Sequence, residues 1–159
     1  MDEPLLHWPA PGMLALSAIR LILAAGLGAL LGAERERVHS AAGLRTHMLV
    51  GMGAALFVLT MIESGADGAG LSRVIQGLTA GTGFLGAGTI LKIGDKEQVH
   101  GLTTAASIWL CAAVGVAAGL GHVWLASLAA LLGWIVLGPV KRFERNLKAG
   151  PPSDASRAG

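Results

Sequence analysis

The stretch GTGFLGAG at Gly81–Gly88 decides how the chain is read, because Gly81, Gly83 and Gly86 stand in the spacing G-x-G-x-x-G. In a soluble α/β protein that spacing marks a dinucleotide-binding turn. It then needs a strand before it, a helix after it and an acidic residue about 20 positions on. Here position 106 is Ala106, inside an apolar run, and both flanks read as membrane helix. The glycines therefore belong to a membrane span, where small residues let neighbouring backbones approach closely. No nucleotide is expected. Gly77 and Gly81 also form G-x-x-x-G, as do Gly28 and Gly32, and Gly115 and Gly119. Together with Gly83, Gly86 and Gly88 they point to a tightly packed helical bundle.

The bulk composition agrees. Of the 159 residues, 53% are hydrophobic and only 14% charged, against roughly 25% charged in a soluble domain. The mean hydropathy is +0.62. Five apolar blocks approach the ~20 residues that span a bilayer as a helix. They cover residues 13–33, 44–62, 71–91, 102–120 and 123–140, with ends uncertain by about 2–4 residues. The expected fold is an all-α membrane protein, a five-span helical bundle. Residues 1–12 form a short N-terminus, 13–140 the transmembrane domain, and 141–159 a basic and then disordered tail. The start, MDEPLLHWPAPG, is acidic where a signal peptide would be basic, so the first apolar run reads as a retained span.

Charge sets the orientation. Arg35, Arg37 and Arg45 follow the first span, Lys92 and Lys96 the third, and Lys141, Arg142, Arg145 and Lys148 the fifth. The other two loops carry neither Lys nor Arg. By the positive-inside rule the N-terminus is outside and the C-terminus cytoplasmic. A faint repeat links spans one and two to spans three and four. AGLGAL at Ala25 matches AGTGFL at Ala80, and GLRT at Gly43 matches GLTT at Gly101. Both copies start on the same side, as parallel repeats do. Spans one and three, which carry the matching glycine stretches, are expected to form the centre of the bundle.

Polar residues are few and so informative. Arg20 lies inside span one and is a functional candidate by default; the competing reading is that it reaches the outer surface and pairs with Glu63. Gln76, Thr79, Thr82 and Thr89 put hydrogen-bonding groups along span three, within reach of Thr60. At the inner ends, Glu34 and Arg37 share a helix face, and Glu34 or Glu36 is placed to pair with Arg45. Thr46 and His47 open span two. Thr103, Thr104 and Ser107 open span four, where a threonine can cap the helix or bond a neighbour. This inner cluster reads as a site for an ion or a partner, against the plainer reading of caps and interfacial charges.

Metal and catalytic chemistry find little support. All ten acidic residues lie in termini, loops or span ends, whereas intramembrane ion sites usually carry a carboxylate within the span. His39, His47 and His100 could gather at the inner surface, but no two histidines have ligand spacing on one helix. Cys111 stands alone and reads as a buried hydrophobe. No nucleophile–base pair is visible, so neither an enzyme nor a cofactor is expected, and no nucleic-acid partner.

Four stretches in order resemble the MgtC/SapB family of bacterial inner-membrane proteins: GALLGAERER at Gly28–Arg37, AGLRTHMLVGMGAALF at Ala42–Phe57, GFLGAGTIL at Gly83–Leu91 and GLTTAASIWLCAAVG at Gly101–Gly115. The resemblance implies five spans, the bacterial cytoplasmic (inner) membrane, and an association with growth at low Mg²⁺ and survival inside host cells. It also carries over Glu34, Arg35, Arg45, Thr46, Gln76, Gly83, Gly86, Gly88, Thr103 and Thr104 as motif residues. His100 departs from the family, where the residue before GLTT is often basic. The likeness is to a short form, without the soluble C-terminal domain of longer members. The expected role is in Mg²⁺ homeostasis, by binding and regulating another membrane protein such as an ATPase, with homo-oligomers also open. Direct transport of Mg²⁺ or another ion is the rival reading, and a lipid- or solute-binding module is the third.

Overall fold

The computed structural model describes residues 10–93 and 98–140, except for the side chains of 91–93, 98 and 99. The expected basic tail lies outside the described residues, as do nearly all of the short N-terminus and the tip of the loop after span three.

The described residues form five helices and one small hairpin: α1 (Pro11–Arg37), α2 (Leu44–Glu63), α3 (Gly68–Ala87), β1 (Leu91–Ile93), β2 (Gln98–His100), α4 (Leu102–Gly119) and α5 (Val123–Ile135), which continues as a π-helical turn over Val136–Val140. The helix ends follow local chemistry. Pro11 starts α1, where its missing N–H costs nothing. Glu36 accepts a hydrogen bond from the Leu44 N–H at 3.0 Å, which satisfies one orphan donor at the start of α2. Asp67 does the same for Gly70 at 2.8 Å and fixes the start of α3. Gly101, before α4, has φ 95° and sits where a Cβ would strike the Thr89 carbonyl, so only glycine fits. Pro139 lies in the π-helical turn. It has no N–H to donate, and the wider turn relieves the clash between its ring and the preceding turn.

Contacts between helices give their directions. Gly28 lies against the His47 carbonyl and Gly32 against Leu44, so α1 and α2 are antiparallel. Gly115 lies against the Gly51 carbonyl and Gly119 against Ala55, so α2 and α4 are parallel. The chain must therefore return along α3, whose late residue Gly86 meets Ala105 early in α4. α1, α2, α4 and α5 with its π-helical turn are long and apolar enough to cross a membrane. The 20 residues of α3 give it the ~30 Å needed to match them. It is simply more polar. Five passes result, with α1 parallel to α3 and α2 to α4, as a parallel repeat requires.

The centre differs from the sequence expectation. α1, α2 and α4 form it, α5 closes one side, and α3 rests mainly on α4. α1 and α3 share no packed interface. At Gly77, Gly81 and Gly83 an added Cβ would meet nothing within 4 Å. These glycines face outward rather than into the bundle, and Gly88 ends the helix as its C-cap. Thr60, Thr79 and Thr89 also depart from expectation. Each bonds a carbonyl of its own helix, at Leu56, Ile75 and Gly86, rather than a neighbour. The core is apolar and small, with Ala24, Leu31, Ala55, Cys111 and Ala118 all fully buried.

The contrast among the glycines is testable by unfolding in detergent micelles. An added Cβ at Gly115 meets backbone that cannot swing away, so Gly115→Ala lowers stability by about 1–3 kcal/mol. Gly83→Ala meets open space. It leaves stability unchanged or raises it by up to ~1 kcal/mol through helix propensity.

Candidate functional site

One end of the bundle gathers most of its buried polar groups. The last turns of α1 bring Glu34 and Arg35, the first turn of α2 brings His47, and the first turns of α4 bring Thr104 and Ser107. All five are buried. Ser40, on the α1–α2 loop, completes the group and is half-buried. A helix end leaves backbone donors and acceptors unpaired, so polar side chains are easier to place here than at mid-depth.

The bonds form two linked sets. Arg35 donates through Nη2 to Thr104 Oγ1 at 2.8 Å and to Ser40 Oγ at 2.9 Å. The two hydroxyls face each other at 2.7 Å. In the second set, His47 Nδ1 lies 2.9 Å from the Gly43 carbonyl. A carbonyl only accepts, so this nitrogen carries the proton. His47 Nε2 lies 3.1 Å from Ser107 Oγ, whose hydroxyl also reaches the Thr104 carbonyl at 2.8 Å. The Cys111 thiol donates to the His47 carbonyl at 3.0 Å. Thr104 belongs to both sets, through its side chain in one and its carbonyl in the other.

Glu34 is 5% exposed and takes Arg37 Nη1 at 2.7 Å. Its carboxylate packs against Gly138, where an added Cβ would come within 3.1 Å of Glu34 Cδ. The expected pairing of Glu34 or Glu36 with Arg45 is not formed. Glu34 holds Arg37, Glu36 holds the Leu44 N–H, and Arg45 faces outward. At the opposite end Arg20 does not pair with Glu63. Its Nη1 donates to the Gly119 carbonyl at 3.1 Å and caps the end of α4, while Glu63 accepts from Ser17 at 2.7 Å. A guanidinium suits the negative end of a helix, and that explains a charge in the first half of α1.

Of the residues singled out from sequence, Arg35, His47, Thr104 and Ser107 come together in one hydrogen-bonded group, and Glu34 is buried at the same end. Thr103 and Arg45 are exposed, Thr46 is half-buried, and Gln76 lies exposed on α3, away from the cluster. Thr104, not capping α4, bonds α1. His47 was read as a surface group with His39 and His100. It is fully buried, and the other two are exposed. Ser40 carried no sequence signal. Its place depends on the chain reversing after His39, which has φ 50°. Among the described residues no three acidic, histidine or cysteine side chains could hold a metal together. Nor does the cluster fit a resident Mg²⁺, because among the described residues its one buried carboxylate already holds Arg37 and its other buried charge is the Arg35 guanidinium.

The MgtC family model matches residues 21–146, which includes this whole cluster and all of α2 to α5. The chain belongs to the MgtC family. It is 42% identical to protein SrpB of Synechococcus elongatus over 80% of this chain and 76% of that protein. It is 42% identical to protein MgtC of Salmonella typhimurium over 77% of this chain and 48% of that one. YhiD of Escherichia coli K12, whose name carries a provisional assignment to magnesium transport, is 41% identical over 75% of this chain and 58% of YhiD. The match spans about half the length of Salmonella MgtC. No solved structure matches this MgtC-family chain.

The two threonines at the start of α4 separate site from surface. Thr104→Val removes a buried acceptor from Arg35 and lowers unfolding stability in micelles by about 1–3 kcal/mol. The exposed Thr103→Val changes it by less than ~0.5 kcal/mol.

Proposed function

We propose that this MgtC-family protein is a non-catalytic regulator in the bacterial inner membrane, with its polar cluster and C-terminus on the cytoplasmic side. In this reading it serves Mg²⁺ homeostasis and low-Mg²⁺ adaptation, and through them virulence, by binding another membrane protein such as an ATPase subunit. The names of its relatives supply the link to magnesium. An exposed polar group on α3 supports the partner contact.

Gln76 is the observation that carries the reading. It is exposed on α3, eight residues from the start of that helix and so about 12 Å along it. That depth is well inside a bilayer. Among the described residues its amide has no partner. An amide facing lipid is costly, and such groups serve to bond neighbouring helices. Thr79 and Ser72 flank it on the same side, and Gly77, Gly81 and Gly83 leave the backbone of α3 open to close approach. On the opposite side of α3 from Gln76, a groove of about 650 Å³ separates α3 from α2, lined by Leu49, Gly53, Phe57, Val74 and Gly81. A transmembrane helix of a partner fits these demands, since it offers both a hydrogen-bonding side chain and a close-packing ridge. A second copy of the chain is the alternative occupant.

Direct transport of Mg²⁺ or another ion is the second reading, favoured by the name that YhiD carries. The protomer argues against it. Buried polar groups cluster at one end, Arg20 sits at the other, and the buried side chains of α1, α2 and α4 between them are alanine, leucine, isoleucine, valine and cysteine.

Two experiments separate these readings. Purified protein in liposomes is expected to give no saturable Mg²⁺ flux; robust flux abolished by Glu34→Gln overturns the regulator. Affinity purification from the native membrane is expected to recover an ATPase subunit. Recovery falls roughly three- to fifteenfold on Gln76→Leu, the worth of one interhelical hydrogen bond, and also falls on Gly83→Leu. Recovery of the chain alone, as a dimer of the same α3 face, would reassign the face to self-association.

A further inference from the structure

We propose that Arg35, Ser40 and Thr104 form a binding site for a phosphate group at the polar end of the bundle. Arg35 is 6% exposed, and its Nε–H is fully buried without a hydrogen-bond partner among the described residues. A buried donor left unpaired is costly, and a buried cation without a counter-charge costs more. Among the described residues no carboxylate reaches Arg35. Glu34 is held by Arg37, and Glu36 by the Leu44 N–H.

The neighbours of Arg35 also have too many hydrogens and too few acceptors. Ser40 Oγ and Thr104 Oγ1 both accept from Nη2 and lie 2.7 Å apart. Each hydroxyl has one hydrogen. One hydrogen bridges the pair, and the other is free for an outside acceptor. Thr104 stands in the first turn of α4, whose N-cap, Gly101, has no side chain to cap it. The positive end of that helix adds to the field. A guanidinium with an idle Nε–H and a spare hydroxyl hydrogen therefore meet at Thr104, in the first turn of α4. What the place lacks is a negatively charged acceptor with several oxygens.

Phosphate meets that need. The Nε–H and one Nη2–H of a guanidinium point in parallel and grip two oxygens of one oxyanion. Helix N-termini favour the same group. Ser40 is the hydroxyl that yields. It is half-buried and belongs to the loop rather than a helix, so its displacement frees one Nη2–H of Arg35 for the anion while Thr104 stays in place. Arg35 lies two residues from the end of α1, at the depth of lipid headgroups. The phosphate can therefore come from an anionic lipid or from solution.

The test uses the full chain in dodecyl maltoside, a detergent without phosphate. One arm titrates inorganic phosphate against chloride at equal ionic strength. The other adds phosphatidylglycerol, with a phosphate-free glycolipid as control. Saturable binding in the first arm assigns the site to free phosphate; binding only in the second assigns it to a headgroup. In either arm Arg35→Lys, which keeps the charge but loses the fork, is expected to weaken binding about tenfold. Thr104→Val weakens it severalfold and serves as the deciding variant if Arg35→Lys does not fold. Absence of saturable binding in both arms overturns the site, and so does equal affinity in the wild type and the folded variants. The readout is the purified protein alone, so it is independent of the partner reading.

Discussion

The fold depends on backbone meeting backbone between α1, α2 and α4. Inside a bilayer, apolar side chains gain little from leaving lipid, so helices associate mainly by close packing and hydrogen bonding. This chain uses close packing. A Cβ on Gly28 would lie 2.5 Å from the His47 carbonyl, and one on Gly51 2.9 Å from the Ala24 carbonyl. At Gly115 it would strike the Gly51 carbonyl, and at Gly119 it would lie 2.8 Å from that of Ala55. Each glycine brings a Cα–H toward a carbonyl of the next helix, a weak bond of about 0.5–1 kcal/mol that recurs at such crossings. With the three axes this close, little room is left between them, and the buried core is alanine, leucine, isoleucine, valine and cysteine.

That packing decides where polarity can go. A dry, narrow core has no place for a solvated charge, so charged groups collect at the helix ends, where orphan backbone groups need partners. Arg20 meets the last carbonyl of α4, and Glu36 meets the first N–H of α2. Arg35 and His47 go deeper because α4 offers them Thr104 and Ser107 one turn apart. α1 and α4 thus touch at both ends, Arg20 with Gly119 and Arg35 with Thr104. Such ties set the register of two helices whose middle contacts are almost featureless.

The sequence was legible where a signal is local. Apolar runs, charged loops and the Glu34–Arg37 spacing give the spans and one ion pair directly. G-x-x-x-G marks close packing correctly at Gly28 and Gly32 and at Gly115 and Gly119. It misleads at Gly77 and Gly81, because the motif says that a face can pack but not whether the same chain fills it. His47 looked interfacial from its neighbours Arg45 and Thr46. Its ring turns inward because Gly43, four residues back, offers a carbonyl, and Ser107, sixty residues on, offers a hydroxyl. The Arg20–Glu63 pairing failed for a similar reason. Two charges near one end suggest a bond, yet Ser17 and the Gly119 carbonyl lay closer to them.

The two hairpins also explain why α3, rather than α1, faces outward. In the first, Gly32 packs on the Cβ of His47; in the second, Gly86 packs on the Cβ of Ala105. His47 and Ala105 occupy matching places, each three residues after the Leu that opens its helix. The joints differ. α1 passes to α2 through a six-residue loop, residues 38–43, with Glu36 clamped on Leu44. α3 passes to α4 through a β-hairpin, in which Leu91 pairs with His100, Lys92 with Val99 and Ile93 with Gln98. In the first hairpin Ala24, further along α1, also meets Gly51, whereas the glycines further along α3, Gly77 to Gly83, meet nothing. Held by α4 chiefly at one end and only lightly by α2, α3 leaves a groove on one side and Gln76 bare on the other. The same glycine-rich sequence that closes the first hairpin thus leaves the second with an unfilled face.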